Sequence, residues 1–371
     1  MKNKKKNSLF NKILFILLSL IVLALIVFVV VSKIYLSPVD SKNDSPIDFI
    51  VEKGASKNAI AEKLEKEGLI KSALFFKFYI KFNSSKELYA GTYTLTKSMD
   101  INEIIDVLNS NKSKENESIT LTFIEGKRLT DYAKRIADFL NKNNEEQITA
   151  DEIVKYIDSK EYVDKQIEKY WFITDKVLNK DIYHPLEGYL FADTYEFRKN
   201  ATLDEILDKL LSTMDSKLTI YKEEIDVSSL SVHELLTLAS IIELEGASSS
   251  DRAGVAGVFY NRIKNNDSLG SDATTYYGVN KDFSRDLSRS NLSACNGYNT
   301  RAESSCPIKG LPVGPICTPS LSSINAVIEP TVHDYYYFVA DKNKKTYFSK
   351  TYAEHTKTVS NLKKEGLWYE Y

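Results

Sequence analysis

Residues 231–245 read Ser-Val-His-Glu-Leu-Leu-Thr-Leu-Ala-Ser-Ile-Ile-Glu-Leu-Glu, and this stretch predicts a buried helix. It opens with a capping box, Ser-Val-His-Glu, and Gly246 follows it as a stop signal. The last turn carries Glu243 and Glu245. Successive helical residues rotate by about 100°, so these two carboxylates lie about 200° apart, on opposite sides of the apolar stripe.

A carboxylate at the C-terminal end of a helix has unusual surroundings. It faces the negative end of the helix dipole, which disfavours its ionisation, and apolar neighbours act in the same direction. A glutamate that stays protonated near neutral pH can serve as a general acid. The same pattern also fits two ordinary surface carboxylates at a helix end, and it does not choose between Glu243 and Glu245.

The composition of the 371-residue chain excludes several functional classes. With 49 Lys and Arg against 51 Asp and Glu, the formal net charge is −2, which argues against a surface built to hold nucleic acid. Three Cys without a Cys-x-x-Cys pair exclude a zinc ribbon or a redox motif. The four His are scattered, so we expect no metal site. The length predicts two or three domains.

The N-terminus predicts a membrane anchor. Residues 1–12 contain five Lys and no acid, and residues 13–32 form an apolar stretch that, at about 1.5 Å per residue, just spans the roughly 30 Å hydrocarbon layer. A cleaved signal peptide is the alternative, but its apolar core is shorter and ends at a small-residue cleavage site, which is missing here. We therefore expect a single-pass protein of the cell membrane, with a cytoplasmic N-terminus and an extracytoplasmic body. Residues 33–47 form a tether.

Residues 48–112 predict a small module with the order β-α-α-β. The order is typical of glycan-binding modules of the LysM type, although many small α+β units share it. The predicted elements are a strand at 48–52, a helix capped by Ser56, an aromatic helix at 72–82, a strand at 91–96 and a helix at 101–108.

A polar stretch at 109–117 marks a boundary, and residues 118–371 form the second region. This region is predicted to begin with a strand at 119–124 and a helix from about residue 130, and to contain a hairpin over 335–349. The whole chain is thus predicted to be an α+β protein behind one N-terminal transmembrane helix.

The segment from Leu238 to Glu245 resembles the L-A-S-I-[IV]-E-K-E signature of the endolytic murein transglycosylases, the MltG or YceG-like family. Each further motif is weak alone, but together they match the family in one order and cover nearly the whole chain from about residue 48. The catalytic core would be about 184–371. The matching stretches are Ala90–Tyr93, Phe123–Leu129, Leu186–Tyr195, Val255–Arg262, Ser271–Asp272 with Tyr277–Gly278, Tyr298–Thr300, Gly310–Pro312 and Tyr337–Asp341.

The resemblance implies a reaction and its catalytic residue. Family members cleave the β-1,4 bond between N-acetylmuramic acid and N-acetylglucosamine within nascent peptidoglycan strands, leave a 1,6-anhydro-muramyl end and so act as terminases of glycan elongation. One glutamate serves first as acid and then as base. The second Glu of the signature is the catalytic one, which implies Glu245, with Glu243 as a hydrogen-bonding support. No cofactor is implied, and the expected partners are peptidoglycan strands and membrane-bound cell-wall synthases.

The matching motifs also supply candidate substrate-binding residues. Asp272 would stabilise positive charge at the sugar C1, although an ordinary loop-capping Asp fits equally well. Tyr298 and Asn299 would supply a stacking face and an amide for N-acetyl groups, and a turn with a buried Tyr is the alternative. The full candidate set is Ser240, Asn261, Asp272, Tyr298 and Asn299.

The chain departs from the family pattern around the expected cleft. Leu244 replaces a Lys, Ala273 and Val313 each replace a Pro, and residues 301–308 enlarge a loop. None of these changes touches Glu245, so they bear on cleft shape and glycan preference.

Three alternatives stay open at this point. A peptidoglycan-binding scaffold would cut nothing, and a hydrolase of the muramidase type would leave reducing ends. In an oxidising compartment, Cys295 and Cys306 would form a disulfide around the enlarged loop and leave Cys317 unpaired, although a pairing that includes Cys317 is a rival.

Overall fold

The computed structural model describes residues 2–82, 87–110, 118–143, 147–245, 248–301 and 303–368. The chain divides into two units, residues 1–119 and 120–371. The predicted stop at Gly246 and most of the polar boundary at 109–117 lie outside the described residues.

The first unit begins with one long helix, α1 (Lys2–Leu36). Its last 22 residues, Phe15–Leu36, form a candidate membrane span that contains an 18-residue window with a mean hydropathy of 3.3, and this window is not buried by protein, which fits a single-pass membrane anchor. The helix runs past the predicted end at residue 32, because the first helix-breaking residue, Pro38, comes only after Ser37.

The rest of the first unit has the predicted β-α-α-β order. The elements are β1 (Ile47–Val51), α2 (Lys57–Lys66), α3 (Ala73–Phe82), β2 (Gly91–Leu95) and α4 (Ile101–Asn109). The two strands pair antiparallel, with Phe49 opposite Tyr93, and both of these side chains are buried in one apolar core with the three helices. The hydroxyl of Ser56 accepts the Ala59 N–H at 3.2 Å and caps α2, as predicted. The likeness to LysM modules stays a prediction.

The second unit mixes helices with two-stranded sheets. Strands β3 and β4 form one sheet, and β5 and β6 form an antiparallel hairpin where one is predicted. In chain order its elements are β3 (Ser118–Thr122), α5 (Leu129–Asn143), α6 (Ala150–Ile157), α7 (Lys160–Lys169), a 3₁₀ turn (Asp175–Leu178), β4 (Thr194–Arg198), α8 (Leu203–Thr219), α9 (Lys222–Asp226), α10 (Val232–Leu244), α11 (Arg252–Lys264), α12 (Asp272–Gly278), α13 (Arg289–Leu292), α14 (Leu321–Ile328), β5 (Tyr337–Ala340), β6 (Thr346–Ser349) and α15 (Tyr352–Lys364).

Helix α10 lies at the centre of this unit. The predicted capping box is present, with Glu234 Oε2 accepting the Ser231 N–H at 2.8 Å. The helix packs against α11, α12 and α14, and even its polar residues Thr237 and Ser240 are fully buried. Its middle, from Leu235 to Ile242, is buried on every side, and only residues near its two ends are partly exposed.

A glycine lets two of the sequence motifs approach each other. Gly188 has a φ of 81°, and a Cβ at this position would lie 2.5 Å from the Pro315 Cβ and 3.1 Å from the Cys317 carbonyl oxygen. Only glycine tolerates both the left-handed backbone and this close contact. The turn that follows Glu187 is thereby pressed against residues 315–317.

Candidate active site

Glu245 lies between the C-terminal end of α10 and the N-terminal end of α12. It is the C-terminal cap of α10, and its N–H donates to the Ile241 carbonyl at 3.1 Å. Its half-buried carboxylate accepts a hydrogen bond at Oε1 from the hydroxyl of Ser271 at 2.5 Å. Ser271, which is 3% exposed, is the N-terminal cap residue of α12. Oε1 of Glu245 is thus held by Ser271, and among the described residues no hydrogen bond is seen to Oε2.

The surroundings of Glu245 favour its protonated form. Burial raises the pKa of the Glu245 carboxyl, and the negative charge of Asp272 acts in the same direction. The Ser271 hydrogen bond and the cations Arg262 and Arg301 oppose these effects, but the pKa remains above its usual value. The site therefore favours a protonated carboxyl, as a general acid requires, and its cations and hydrogen bond also stabilise the ionised form.

Two arginines near Glu245 were not singled out from the sequence. Arg262 of α11 donates from Nε to the Tyr336 carbonyl at 2.8 Å and lies 5.4 Å from the centre of the Tyr337 ring. Arg301 donates from Nη1 to Asp272 Oδ1 at 2.6 Å. Arg262 ends the Val255–Arg262 motif, and Arg301 directly follows Tyr298–Thr300. Their positions in or next to these motifs were the sequence signal that could have identified both arginines.

Glu243 lies on the opposite side of α10 from Glu245, and both of its carboxylate oxygens accept hydrogen bonds from protein groups. Its Oε2 accepts the Ser320 N–H at 2.9 Å and the hydroxyls of Ser320 and Ser323 at 2.5 and 2.7 Å. Its Oε1 accepts from Arg252 Nη2 at 2.9 Å, and the side chain is only 10% exposed. Glu243 thereby ties α10 to α11 and α14, a geometry that favours the supporting role expected for it.

Only one of the expected substrate-binding residues lies open beside Glu245. Asp272 is that residue, with a side chain 57% exposed. Ser240 is fully buried, where its hydroxyl donates to the Thr237 carbonyl at 2.7 Å and accepts the Ile316 N–H at 3.0 Å. These contacts give Ser240 a packing role instead of a sugar contact.

Tyr298 and Asn299 are also fully buried. The Tyr298 ring forms a cluster of three with the rings of Tyr183 and Tyr277, each 4.7 Å away between centroids. The Asn299 amide accepts from Thr275 at 2.7 Å and donates to two backbone carbonyls in the preceding turn. Both residues lie in the loop after α13 and are fully buried, which fits the alternative interpretation of a turn with a buried Tyr.

Asn261 holds a neighbouring loop in place. Its Nδ2 donates to the carbonyls of His333 and Tyr335, both at 2.8 Å. These bonds fix the segment that leads into β5, which contains the Tyr336 and Tyr337 partners of Arg262. Asn261 therefore acts on the site indirectly, by fixing the loop whose Tyr336 and Tyr337 contact Arg262.

A second buried carboxyl, Glu187, lines a cavity of about 460 Å³ with Arg128, His184 and Tyr277 among its walls. Glu187 is 1% exposed and accepts the Leu129 N–H at 2.8 Å and the Tyr277 hydroxyl at 3.1 Å. Burial raises its pKa to about 7. Glu187 belongs to the Leu186–Tyr195 motif. The sequence signal that could have identified it is a carboxylate at the start of a stretch that is otherwise apolar up to Ala192.

Two cysteines bracket the enlarged loop and are bonded. The sulfur atoms of Cys295 and Cys306 lie 2.00 Å apart, and Cys317 is free and buried. The bonded loop contains Asn299 and Arg301. Within the residues that the structure describes, there is no group of three or more His, Cys, Asp or Glu side chains placed to hold a metal ion.

The family model described as the YceG-like family matches residues 49–361. This chain belongs to the YceG-like family. It is 36% identical over 328 residues to an endolytic murein transglycosylase of Bacillus subtilis, a match that covers 88% of this chain and 87% of the relative. An endolytic murein transglycosylase of Streptococcus pneumoniae is 32% identical over 334 residues, with coverage of 88% and 60%.

A solved YceG-like structure is similar to the whole fold. The crystal structure of a putative yceG-like protein from Listeria monocytogenes superimposes with a TM-score of 0.58 at 33% identity. The match covers 85% of this chain and 99% of that one. Both the sequence and the architecture therefore agree with the family assignment.

Proposed function

We propose that this YceG-like chain is an endolytic murein transglycosylase with Glu245 as its catalytic acid and base. It cleaves the β-1,4 bond between N-acetylmuramic acid and N-acetylglucosamine within peptidoglycan strands and forms a 1,6-anhydro-muramyl end. The observation that carries the proposal is a half-buried carboxyl with a raised pKa, held through one oxygen by Ser271 and beside two arginines.

In the first step Glu245 acts as an acid. Because Oε1 accepts from Ser271, the proton resides on Oε2, from which it passes to the glycosidic oxygen. The C1–O bond of the muramyl residue breaks, and the N-acetylglucosamine leaves with a free 4-hydroxyl. Positive charge develops at C1, and the exposed carboxylate of Asp272, whose charge is felt at Glu245 and which pairs with Arg301, is the group that we propose to stabilise it.

In the second step the ionised Glu245 acts as a base. The C6 oxygen of the same muramyl residue bonds to C1, and its proton returns to Oε2. Arg262, Arg301 and the Ser271 hydroxyl favour the carboxylate between the two steps, which offsets the cost of a buried charge. No water is consumed, so a single carboxyl completes the cycle, whereas ordinary glycosidases use two.

The proposed location follows from the N-terminal helix. Lysines before the apolar stretch keep the N-terminus in the cytoplasm, and the remaining chain lies outside, where peptidoglycan is made. A tether of little more than ten residues keeps the first unit close to the membrane. Newly made strands and the membrane-bound synthases that release them are therefore the partners that we propose.

Digestion of purified sacculi by the full-length protein in detergent, followed by mass spectrometry of the products, tests the reaction. We expect muropeptides that end in 1,6-anhydro-muramic acid. Products with reducing ends would instead identify a muramidase-type hydrolase. Intact sacculi that bind the protein without being cleaved would identify a scaffold.

A further inference from the structure

Helix α3 of the first unit has two apolar faces, of which only one is covered. On the opposite face Leu74, Phe78 and Phe82 are 80%, 47% and 74% exposed. They are spaced by four residues and therefore lie in one row, and the rings of Phe78 and Phe82 are 4.6 Å apart between centroids. The covered face consists of Ala73, Phe76 and Ile80.

The start of α3 is held against the end of α1. Lys71 Nζ donates to the Ile34 carbonyl at 3.0 Å and to the Ser37 hydroxyl at 2.7 Å. The ring of Tyr35 stacks on that of Phe75, 5.3 Å away between centroids. These polar and aromatic contacts fix α3 beside the last turn of the apolar helix.

The length of α1 places that last turn at the edge of a bilayer. The 22 residues from Phe15 to Leu36 extend over about 33 Å, which matches the roughly 30 Å of a hydrocarbon core. Tyr35 then lies at the boundary between lipid and water, where tyrosine is enriched. Since Phe75 stacks on Tyr35, the first turn of α3 lies at the same height.

The charges of α3 suit the same environment. The helix contains Lys77 and Lys81 and no acidic residue. Lys77 pairs with Glu62 of α2 at 2.7 Å and Lys71 is bonded to the end of α1, so the exposed Lys81 is the lysine that can extend along apolar surface and bring its ammonium group to lipid phosphates. A short helix with an exposed apolar row and an exposed lysine at its end suits the interfacial layer.

We propose that the row Leu74, Phe78 and Phe82 inserts into the interfacial layer of the bilayer that α1 crosses. Helix α3 is thus a second membrane contact, and it fixes the orientation of the first unit on the membrane. This inference rests on the membrane anchor proposed above, and it assigns the aromatic residues a ligand, namely lipid.

Photocrosslinking of the full-length protein in liposomes of phosphatidylcholine and phosphatidylglycerol tests the inference. Benzoylphenylalanine is introduced at Phe78 and, as a matched control in the same unit, at Ile50, which is equally exposed at 46%. A third variant carries the group at Val27 within the apolar helix. Intact mass after irradiation then reports lipid adducts.

We expect at least about fivefold more lipid adduct at Phe78 than at Ile50, and strong labelling at Val27. Labelling at Phe78 no higher than at Ile50, with Val27 labelled, would overturn the surface contact and leave the anchor intact. A crosslinked dimer through Phe78 would show that a second copy covers the row instead. Absence of labelling at Val27 would overturn both the anchor and the inference.

Discussion

Replacing Glu245 by Gln removes the transferable proton and changes little else. The amide oxygen can still accept the Ser271 hydroxyl, and Gln matches the size and neutral charge of the protonated acid. We therefore expect the free energy of unfolding to change by less than about 1 kcal/mol. General acid–base assistance is worth roughly 10²–10⁴ in rate, and one group serves both steps here, so the loss should reach about 10⁴, or about 5 kcal/mol of barrier.

Glu243→Gln is the matched control, because it makes the same chemical change on the same helix. An amide NH₂ would replace an oxygen that now accepts from Arg252 or from Ser320 and Ser323. Breaking a buried ion pair of this kind costs about 3–5 kcal/mol. In a unit of the size of residues 120–371 that lowers the melting temperature by roughly 6–10 °C. The variant should keep partial activity at temperatures where it is folded.

The assay compares initial rates of anhydro-muropeptide release from sacculi for the wild type and both variants. Circular dichroism melting curves establish that each variant is folded at the assay temperature. A folded Glu245→Gln protein that releases anhydro-muropeptides at a near wild-type rate would refute the assignment. If Glu243→Gln is instead the folded and inactive variant, the roles of the two carboxylates must be exchanged.

Three further predictions concern the proton, the loop and the membrane. The substitution Ser271→Ala removes the hydroxyl that stabilises ionised Glu245 and so raises the pKa of that carboxyl. The alkaline limb of the pH–rate profile should therefore move to higher pH, and an unchanged limb would contradict the contact. Thiol counting in the non-reduced, denatured protein should find one free thiol, from Cys317, whereas three would exclude the bond between Cys295 and Cys306. Protease added to intact spheroplasts should degrade the body and leave a small membrane fragment, and a protected full-length protein would reverse the proposed orientation.

Local patterns in the sequence were sufficient for the elements that carry the fold. The capping box at Ser231, the Ser56 cap of α2 and the apolar N-terminus are each read from a few neighbouring residues. Their outcome depends on nearby backbone hydrogen bonds and on periodicity, which a single sequence displays. The end of α1 was placed too early because no local signal before Pro38 stops the helix.

The composition of the site could not be derived in the same way. A helical wheel treats Glu243 and Glu245 as equivalent, and they differ only because α14 supplies Ser320 and Ser323 to one and α12 supplies Ser271 to the other. Such partners come from 26 to 80 residues away along the chain. Likewise, an Asn or a Tyr in a polar motif gives no indication of burial, which depends on long-range packing.

The seven residues of α12 lie between two carboxyl groups, those of Glu245 and Glu187, which the proposed reaction does not link. The cap residue before it, Ser271, holds Glu245, and Tyr277 near its other end, about 9 Å along the axis, holds Glu187. A rigid helix transmits displacement from one end to the other, so the two contacts share one mechanical element. Ser271→Ala and Tyr277→Phe should therefore show a non-zero coupling free energy in a double-mutant cycle, although neither side chain contacts the carboxyl of the other. A change in the protonation of Glu187, whose pKa burial raises to about 7, would be sensed through the same helix at Glu245.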